Sequence, residues 1–237
     1  MPINLFNKTI TTIFFDLDGT LINHSTPRIL ANSAVVEFLK TKSNKSYLEI
    51  WNNMESTYES IRQNWFTKLL DSLGIILDAK QKQETIDLMI SLYYASFDKG
   101  CVAYPDALIL LKYLKDKVQL GVLSDTDSYS SIQKLKHGGL IDYFTQDMIV
   151  TYDLVGAKKP NPAIFEFALN KSKSLPQETI YIGDIPSKDV LGANNMAISS
   201  IRLKRDTFAN KLAKENEIAT LDLDNYYELI DLIAKNN

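Results

Sequence analysis

The chain reads as an α/β protein: a Rossmann-like, mainly parallel sheet flanked by helices, interrupted by an inserted all-helical domain. Two observations predict this. Short apolar runs of β type alternate with amphipathic helical stretches, the pattern of βαβ units. Between about His24 and Lys99 that alternation stops, and only helical periodicity remains. The expected division is an α/β core from 1–22 and 100–237, with a helical insertion over 23–99.

The strands come first. Thr12-Ile13-Phe14-Phe15 is an unbroken apolar run ended by Asp16-Leu17-Asp18-Gly19, as a strand buried on both faces requires. Val118–Leu123, Met148–Val150, Thr179–Ile182 and Ser199–Leu203 supply four more. Helical patterns lie between and after them at Asp106–Lys115, Ser128–Leu135, Pro162–Asn170, Lys188–Met196 and about Asn225–Ala234. Inside the insertion, Tyr58, Ile61, Trp65, Phe66, Leu69, Leu70 and Leu73 recur at i, i+3, i+4 and i+7, and Gly74 stops the helix. Glu84–Phe97 is a second helical run. Segment Lys204–Glu217 is charged and weakly patterned, a loop or surface helix.

Composition narrows the function. With 237 residues, 45% hydrophobic and 23% charged, the chain can bury a core without disulfides. Its 29 acids against 26 bases argue against a nucleic-acid surface, which relies on clustered Lys and Arg. The single cysteine, Cys101, forms no internal disulfide and reads as a small buried hydrophobe. No stretch approaches the roughly 20 apolar residues of a membrane span, and the first apolar run stops at Asp16, short of a signal-peptide core. The expectation is a cytoplasmic protein, monomeric or homodimeric, with no membrane partner.

Ligands of open parallel sheets bind at the carboxyl ends of strands. The residues just past the strand ends form a chemically coherent set: Asp16 and Asp18, then Ser124-Asp125, then Lys158-Lys159-Pro160, then Gly183-Asp184 with Asp189 beyond. Carboxylates gathered at a rim repel one another unless a cation joins them. Asp16, Asp18 and Asp184 offer hard oxygens suited to Mg²⁺. A metal and Lys159 together suit a phosphoryl group. Asp16 and Asp18, two apart on an extended chain, point to the same side. One can act as nucleophile while the other handles the leaving-group proton.

These four strings resemble the ordered motifs of the haloacid-dehalogenase-like hydrolase superfamily, from about Ile13 to Arg202. The stretch Lys159-Pro160-Asn161-Pro162-Ala163-Ile164-Phe165 is similar to the family's wording after its third motif. The insertion resembles the helical cap of one branch. The resemblance implies that Asp16 attacks phosphorus and that Asp18 serves as general acid, then base. It implies that Ser124 and Lys159 hold phosphoryl oxygens. Mg²⁺ then lies on Asp16, the main-chain carbonyl of Asp18, and Asp184, with Asp189 close by. The implied protein is a Mg²⁺-dependent phosphatase with a small phosphorylated metabolite as substrate: a sugar phosphate, a phosphoglycolate-like acid or a nucleoside monophosphate.

Each residue also has a plainer reading. Asp-Gly is a hairpin signal, Ser124 a helix-initiating hydroxyl, and paired lysines are commonly solubilising. Asp189, with Ser187 as N-cap, would sit in a first helical turn where the helix dipole favours an acid anyway. Asp125 departs from the Asn of many relatives, and a further carboxylate repels phosphate unless it faces away or is neutralised. A dehalogenase needs neither Asp18 nor Asp184, and nothing singles out Lys68 as a phosphonatase Schiff base. A phosphomutase of the sugar-phosphate branch carries a His where Arg28 stands. A catalytically idle, partner-binding relative has no evident need of clustered carboxylates. On a wheel of about 100° per residue from Tyr58, Arg62 falls inside the apolar stripe. It binds an anionic substrate group from the cap, or else it snorkels or pairs locally. His24 and Arg28 are weaker candidates, and His137 reads as structural.

Overall fold

The computed structural model describes residues 2–23, 25–59, 61–205 and 214–236. His24 and most of the weakly patterned segment, 206–213, lie outside the described residues. The chain forms two compact units, Met1–Asn23 with Val102–Asn237, and His24–Cys101.

The first unit opens with a hairpin, β1 (Ile3–Leu5) and β2 (Lys8–Ile10), followed by β3 (Thr12–Phe15) and the short β4 (Ile22–Asn23). The helical unit comprises α1 (Ser25–Lys40), α2 (Tyr47–Ser56), α3 (Arg62–Ser72) and α4 (Ala79–Gly100). The first unit resumes with β5 (Val102–Ala103), α5 (Pro105–Leu114), β6 (Gln119–Ser124), α6 (Ser128–His137), β7 (Ile149–Thr151), α7 (Tyr152–Val155) and α8 (Pro162–Ser172). Then come β8 (Thr179–Gly183), a π-helical turn over Pro186–Val190, α9 (Leu191–Asn195), β9 (Ser199–Leu203), β10 (Leu221–Leu223) and α10 (Tyr226–Asn236).

Six strands form one parallel sheet in the order β10-β9-β8-β3-β6-β7. β3 is central: Ile13 sits opposite Leu120 on one side and Ile180 on the other. The chain builds outward from β3 through β6 and β7, then returns to fill the other side. The crevice at this reversal of order is where such sheets bind ligands. Every residue of β3, β7, β8 and β9 is buried; β3, β7 and β8 are accordingly mostly apolar, while β9 also buries Ser199, Ser200 and Arg202. One face buries Phe14, Leu123, Val150, Phe165 and Tyr181 together, and on the other Phe15 meets the Tyr226 ring of α10 edge-on at 6.3 Å.

Three expectations need correction here. The helix read over Lys188–Met196 is a π turn followed by the short α9, and its N-terminus has Ile185, not Ser187, at the N-cap. The run from Tyr58 does not begin a helix; α3 starts at Arg62, and both Tyr58 and Ile61 are exposed. The chain after β3 does not stay extended. Leu17 to Ile22 form a tight turn in which Leu21 and Ile22 both donate to the Leu17 carbonyl. Asp16 and Asp18 therefore point to different partners.

In the helical unit, α1 packs along α4, and Trp65, Phe66, Tyr93 and Phe97 form an aromatic core. α2 and α4 each begin with a reciprocal capping box, Ser46 with Glu49 and Asp78 with Gln81. Each cap contributes about 1 kcal/mol. Cys101 is buried, as a small hydrophobe is. No helix among the described residues is long and apolar enough to cross a membrane.

Candidate active site

The carboxyl ends of β3 and β8 bring four ionisable side chains together. Asp16 follows β3 directly, and its N–H donates to the Ile182 carbonyl at 2.8 Å, so the β3–β8 ladder itself sets its position. Asp184 follows β8. Asp189 lies on the π turn, whose wider winding lets its carboxylate reach back. Its Oδ1 accepts from the Tyr181 hydroxyl at 2.9 Å and from Lys159 Nζ at 2.7 Å; its Oδ2 accepts from the Ile185 N–H at 2.9 Å. Lys159 Nζ also donates to Asp16 Oδ1 and, at 3.0 Å, to the Tyr181 oxygen. Thr20 donates to Asp16 Oδ2 at 3.1 Å.

Two glycines make this density achievable. A Cβ on Gly183 would lie 2.4 Å from the Asp189 carboxyl carbon, and one on Gly19 would lie 2.5 Å from Asp184 Oδ2. Gly19 also has φ +88°, a left-handed conformation that a side chain disfavours.

The cluster is short of positive charge. Asp16, Asp184 and Asp189 are all buried, and each offers an oxygen within 4.8 Å of the others; among the described residues the ammonium bonded to this cluster is that of Lys159. Burial pushes Asp16 up to about 7 despite Lys159 beside it, with Asp189 adding to the rise. Burial, then repulsion from Asp16 and Asp189, pushes Asp184 to about 9. Burial disfavours the Lys159 ammonium, yet Asp16 and Asp189 hold its pKa well above the usual lysine value. Asp184 Oδ1 is buried with no hydrogen-bond partner. An orphaned carboxylate oxygen in an acid-rich pocket fits a bound cation, since an unpaired buried charge is otherwise expensive.

Ser124 closes β6, the strand beside β3, and is buried. Its Oγ accepts from the Thr126 N–H at 3.2 Å and lies 2.8 Å from Thr126 Oγ1. The helix-initiating role belongs instead to Asp127, which accepts from the Ser130 N–H at 2.8 Å. Asp125 is neutralised: Oδ1 accepts the Lys159 N–H at 2.9 Å, and Oδ2 pairs with Lys188 Nζ at 3.1 Å. Asp18 stands apart from the three clustered carboxylates, its side chain paired with Lys134.

Arg62, in the helical unit, is half-buried, and its guanidinium lies over the rings of Tyr58, Trp65 and Tyr93 at 5.7, 5.1 and 4.6 Å. It also donates to the Glu59 carbonyl at 3.1 Å. Lys68 is exposed and paired with Glu59.

Sequence reasoning missed Tyr181, Thr20 and Lys134. Tyr181 hides in an apolar strand. Lys134 carries no sequence signal: only the fold shows that it shares an inward face with the buried Ser131, three residues before it.

A parallel α/β core with acids and one lysine gathered at its strand ends defines an α/β protein with a charged site at the switch point of its sheet. Similarity to known proteins makes it specific: residues 13–203 match the haloacid dehalogenase-like hydrolases, and the chain belongs to that family. It is 24% identical over 235 residues to a glyceraldehyde 3-phosphate phosphatase of Methanopyrus kandleri, covering 95% of this chain and 98% of the relative. It is 30% identical over 192 residues to a pyrophosphatase PpaX of Halalkalibacterium halodurans, covering 81% and 82%. The crystal structure of a HAD phosphatase from Thermococcus onnurineus is similar with a TM-score of 0.64 at 25% identity, over 94% of this chain and 97% of that one.

Proposed function

We propose that the protein is a Mg²⁺-dependent phosphatase that hydrolyses a small phosphorylated metabolite through a phosphoaspartyl group on Asp16. The observation that carries this is the buried excess of carboxylates around Lys159, with one Asp184 oxygen left unpaired. The phosphatase names of similar proteins support the same reaction class and a small substrate.

In this reading an Asp16 carboxylate oxygen attacks phosphorus while the bond from phosphorus to the ester oxygen breaks. Asp18 gives its proton to the departing oxygen. Asp18 then takes a proton from water, whose oxygen attacks phosphorus and frees Asp16 with inorganic phosphate. The Ser124 hydroxyl and the Lys159 ammonium hold the phosphoryl oxygens, work that is mostly positioning and charge neutralisation. Asp16, Asp184 and the Asp18 main-chain carbonyl would hold Mg²⁺, with Asp189 close by, and the ion supplies positive charge against the phosphoryl group. Asp189 and Tyr181 orient Lys159, and Asp125 fixes the same residue through its backbone.

The test is phosphate release from a panel of sugar phosphates, phosphoglycolate and nucleoside monophosphates, with and without Mg²⁺. Turnover that needs Mg²⁺ and disappears in Asp16→Asn supports the reading. No Mg²⁺-dependent turnover on any simple ester overturns it.

A further inference from the structure

Lys134 is a lysine where a helix facing a sheet is expected to carry something apolar. It is only 5% exposed, in the last turn of α6. Burying an ammonium is costly unless a charged partner answers it, and holding a long side chain in one rotamer costs entropy as well. Its partner is Asp18: Lys134 Nζ donates to Asp18 Oδ2 at 2.5 Å across 116 residues of sequence.

The backbone around Asp18 is fixed independently. Gly19 donates to the Ile22 carbonyl at 2.9 Å, and Asp18 bridges to Ile22. The turn thus settles where the Asp18 backbone lies, and Lys134 settles where its carboxyl points. The same face of α6 carries Ser131, whose Oγ is 2.8 Å from Thr126 Oγ1, which is itself 2.8 Å from Ser124 Oγ. One helix face therefore supports both the second aspartate and the serine.

We infer that Lys134 is a positioning residue, holding the Asp18 carboxyl in the orientation from which it protonates the leaving oxygen. This rests on the phosphatase reading above. In the step concerned, the bond between phosphorus and the leaving oxygen breaks, the Asp16–phosphorus bond forms, and the Asp18 proton moves to the leaving oxygen. An alkoxide needs that proton to depart; p-nitrophenolate, a far weaker base, scarcely does. Misplacing Asp18 should therefore penalise alkyl esters selectively.

The experiment compares kcat/KM for glycerol 2-phosphate and p-nitrophenyl phosphate in the full chain with Mg²⁺. Lys134→Met is expected to lower the alkyl value on the order of 10- to 100-fold and the aryl value by about 3-fold or less. Lys134→Arg should recover most of the alkyl activity. In an Asp18→Asn background, Lys134→Met should change the alkyl value by less than about 2-fold, since coupled residues are not additive. If Lys134→Met does not fold, Lys134→Gln carries the same reading. Equal losses on both esters, or no loss in a folded variant, overturn the inference while the phosphatase reading stands. A wild type with no Mg²⁺-dependent turnover on these two esters or on any of the panel above overturns both.

Discussion

The α/β unit contains two buried ionic groupings built on opposite principles. At the rim, three carboxylates share one lysine, and two of them are pushed to about 7 and about 9. Elsewhere in the same unit, Arg205 grips Asp106 with two parallel hydrogen bonds, Nη1 to Oδ1 at 2.7 Å and Nη2 to Oδ2 at 2.6 Å. Asp106 Oδ2 also accepts the Tyr226 N–H at 2.8 Å, and the guanidinium lies over the Tyr104 and Tyr226 rings. There one charge answers one charge, and both carboxylate oxygens have donors. That grouping ties α5 to the start of α10 with its charges balanced, although among the described residues Arg205 Nε is buried without a hydrogen-bond partner. The rim is left with more carboxylates than cations, as the proposed binding of a metal ion there requires. Burial alone does not separate a structural ion pair from a functional one; charge balance does.

Substitution at each centre tests that contrast most severely. Asp16→Asn should reduce phosphate release on the order of 10⁴-fold or more, as loss of a nucleophile does, while the melting temperature holds or rises because an ill-solvated charge has gone. Asp106→Ala should do the reverse, lowering stability by about 3 kcal/mol in denaturant titration while specific activity of the folded protein stays within about 2-fold. Loss of activity in folded Asp106→Ala would break the distinction.

Metal and pH probe it next. The folded, metal-free rim keeps protons on Asp16 and Asp184 up to about 7 and about 9, whereas the unfolded chain releases them near 3.8. The folded state then binds more protons, so its stability falls as pH rises from about 4 through about 9. Melting temperatures in a chelator should decline over that window, and Mg²⁺ should raise them more at pH 8.5 than at pH 5.5. In Asp184→Asn the decline should end near pH 7, where only Asp16 still releases its proton; an unchanged decline through pH 9 would contradict the assignment.

Gly19→Ala is expected to lower activity on the order of 100-fold, since its Cβ meets Asp184 and displaces a reacting geometry. The smallest effect should come from outside the α/β unit. Held over three aromatic rings, Arg62 should on mutation to Ala cost about 1 kcal/mol of stability with KM unchanged across active substrates. A KM that climbs selectively for anionic substrates would instead make Arg62 a ligand contact.

The sheet was legible where burial dictates composition. Strands covered on both faces are mostly apolar, so Thr12–Phe15 matches residue for residue; Ser199–Leu203 matches too, although only Ile201 and Leu203 of it are apolar. β1, β2 and β10 are three residues each, too short for any period to register. α4 begins five residues before its apolar pattern, because Ala79 to Gln83 is polar and only the Asp78–Gln81 box announces it. At the site, the acids were readable from their places after strands. Lys134 and the Arg205–Asp106 pair were not, since each joins residues about 100 apart or more, and only the fold reveals which charge answers which.

The pairing of β4 with β5 carries a last consequence. Ile22 sits opposite Ala103 and Asn23 opposite Val102, so the chain leaves the α/β unit and returns to it at neighbouring points of a two-stranded clasp. Everything between is topologically a side loop. Its length and sequence can change without altering any strand register in the sheet, and a short turn could replace it outright. The insertion can thus be exchanged as a module, leaving the strand register that places the rim's residues untouched.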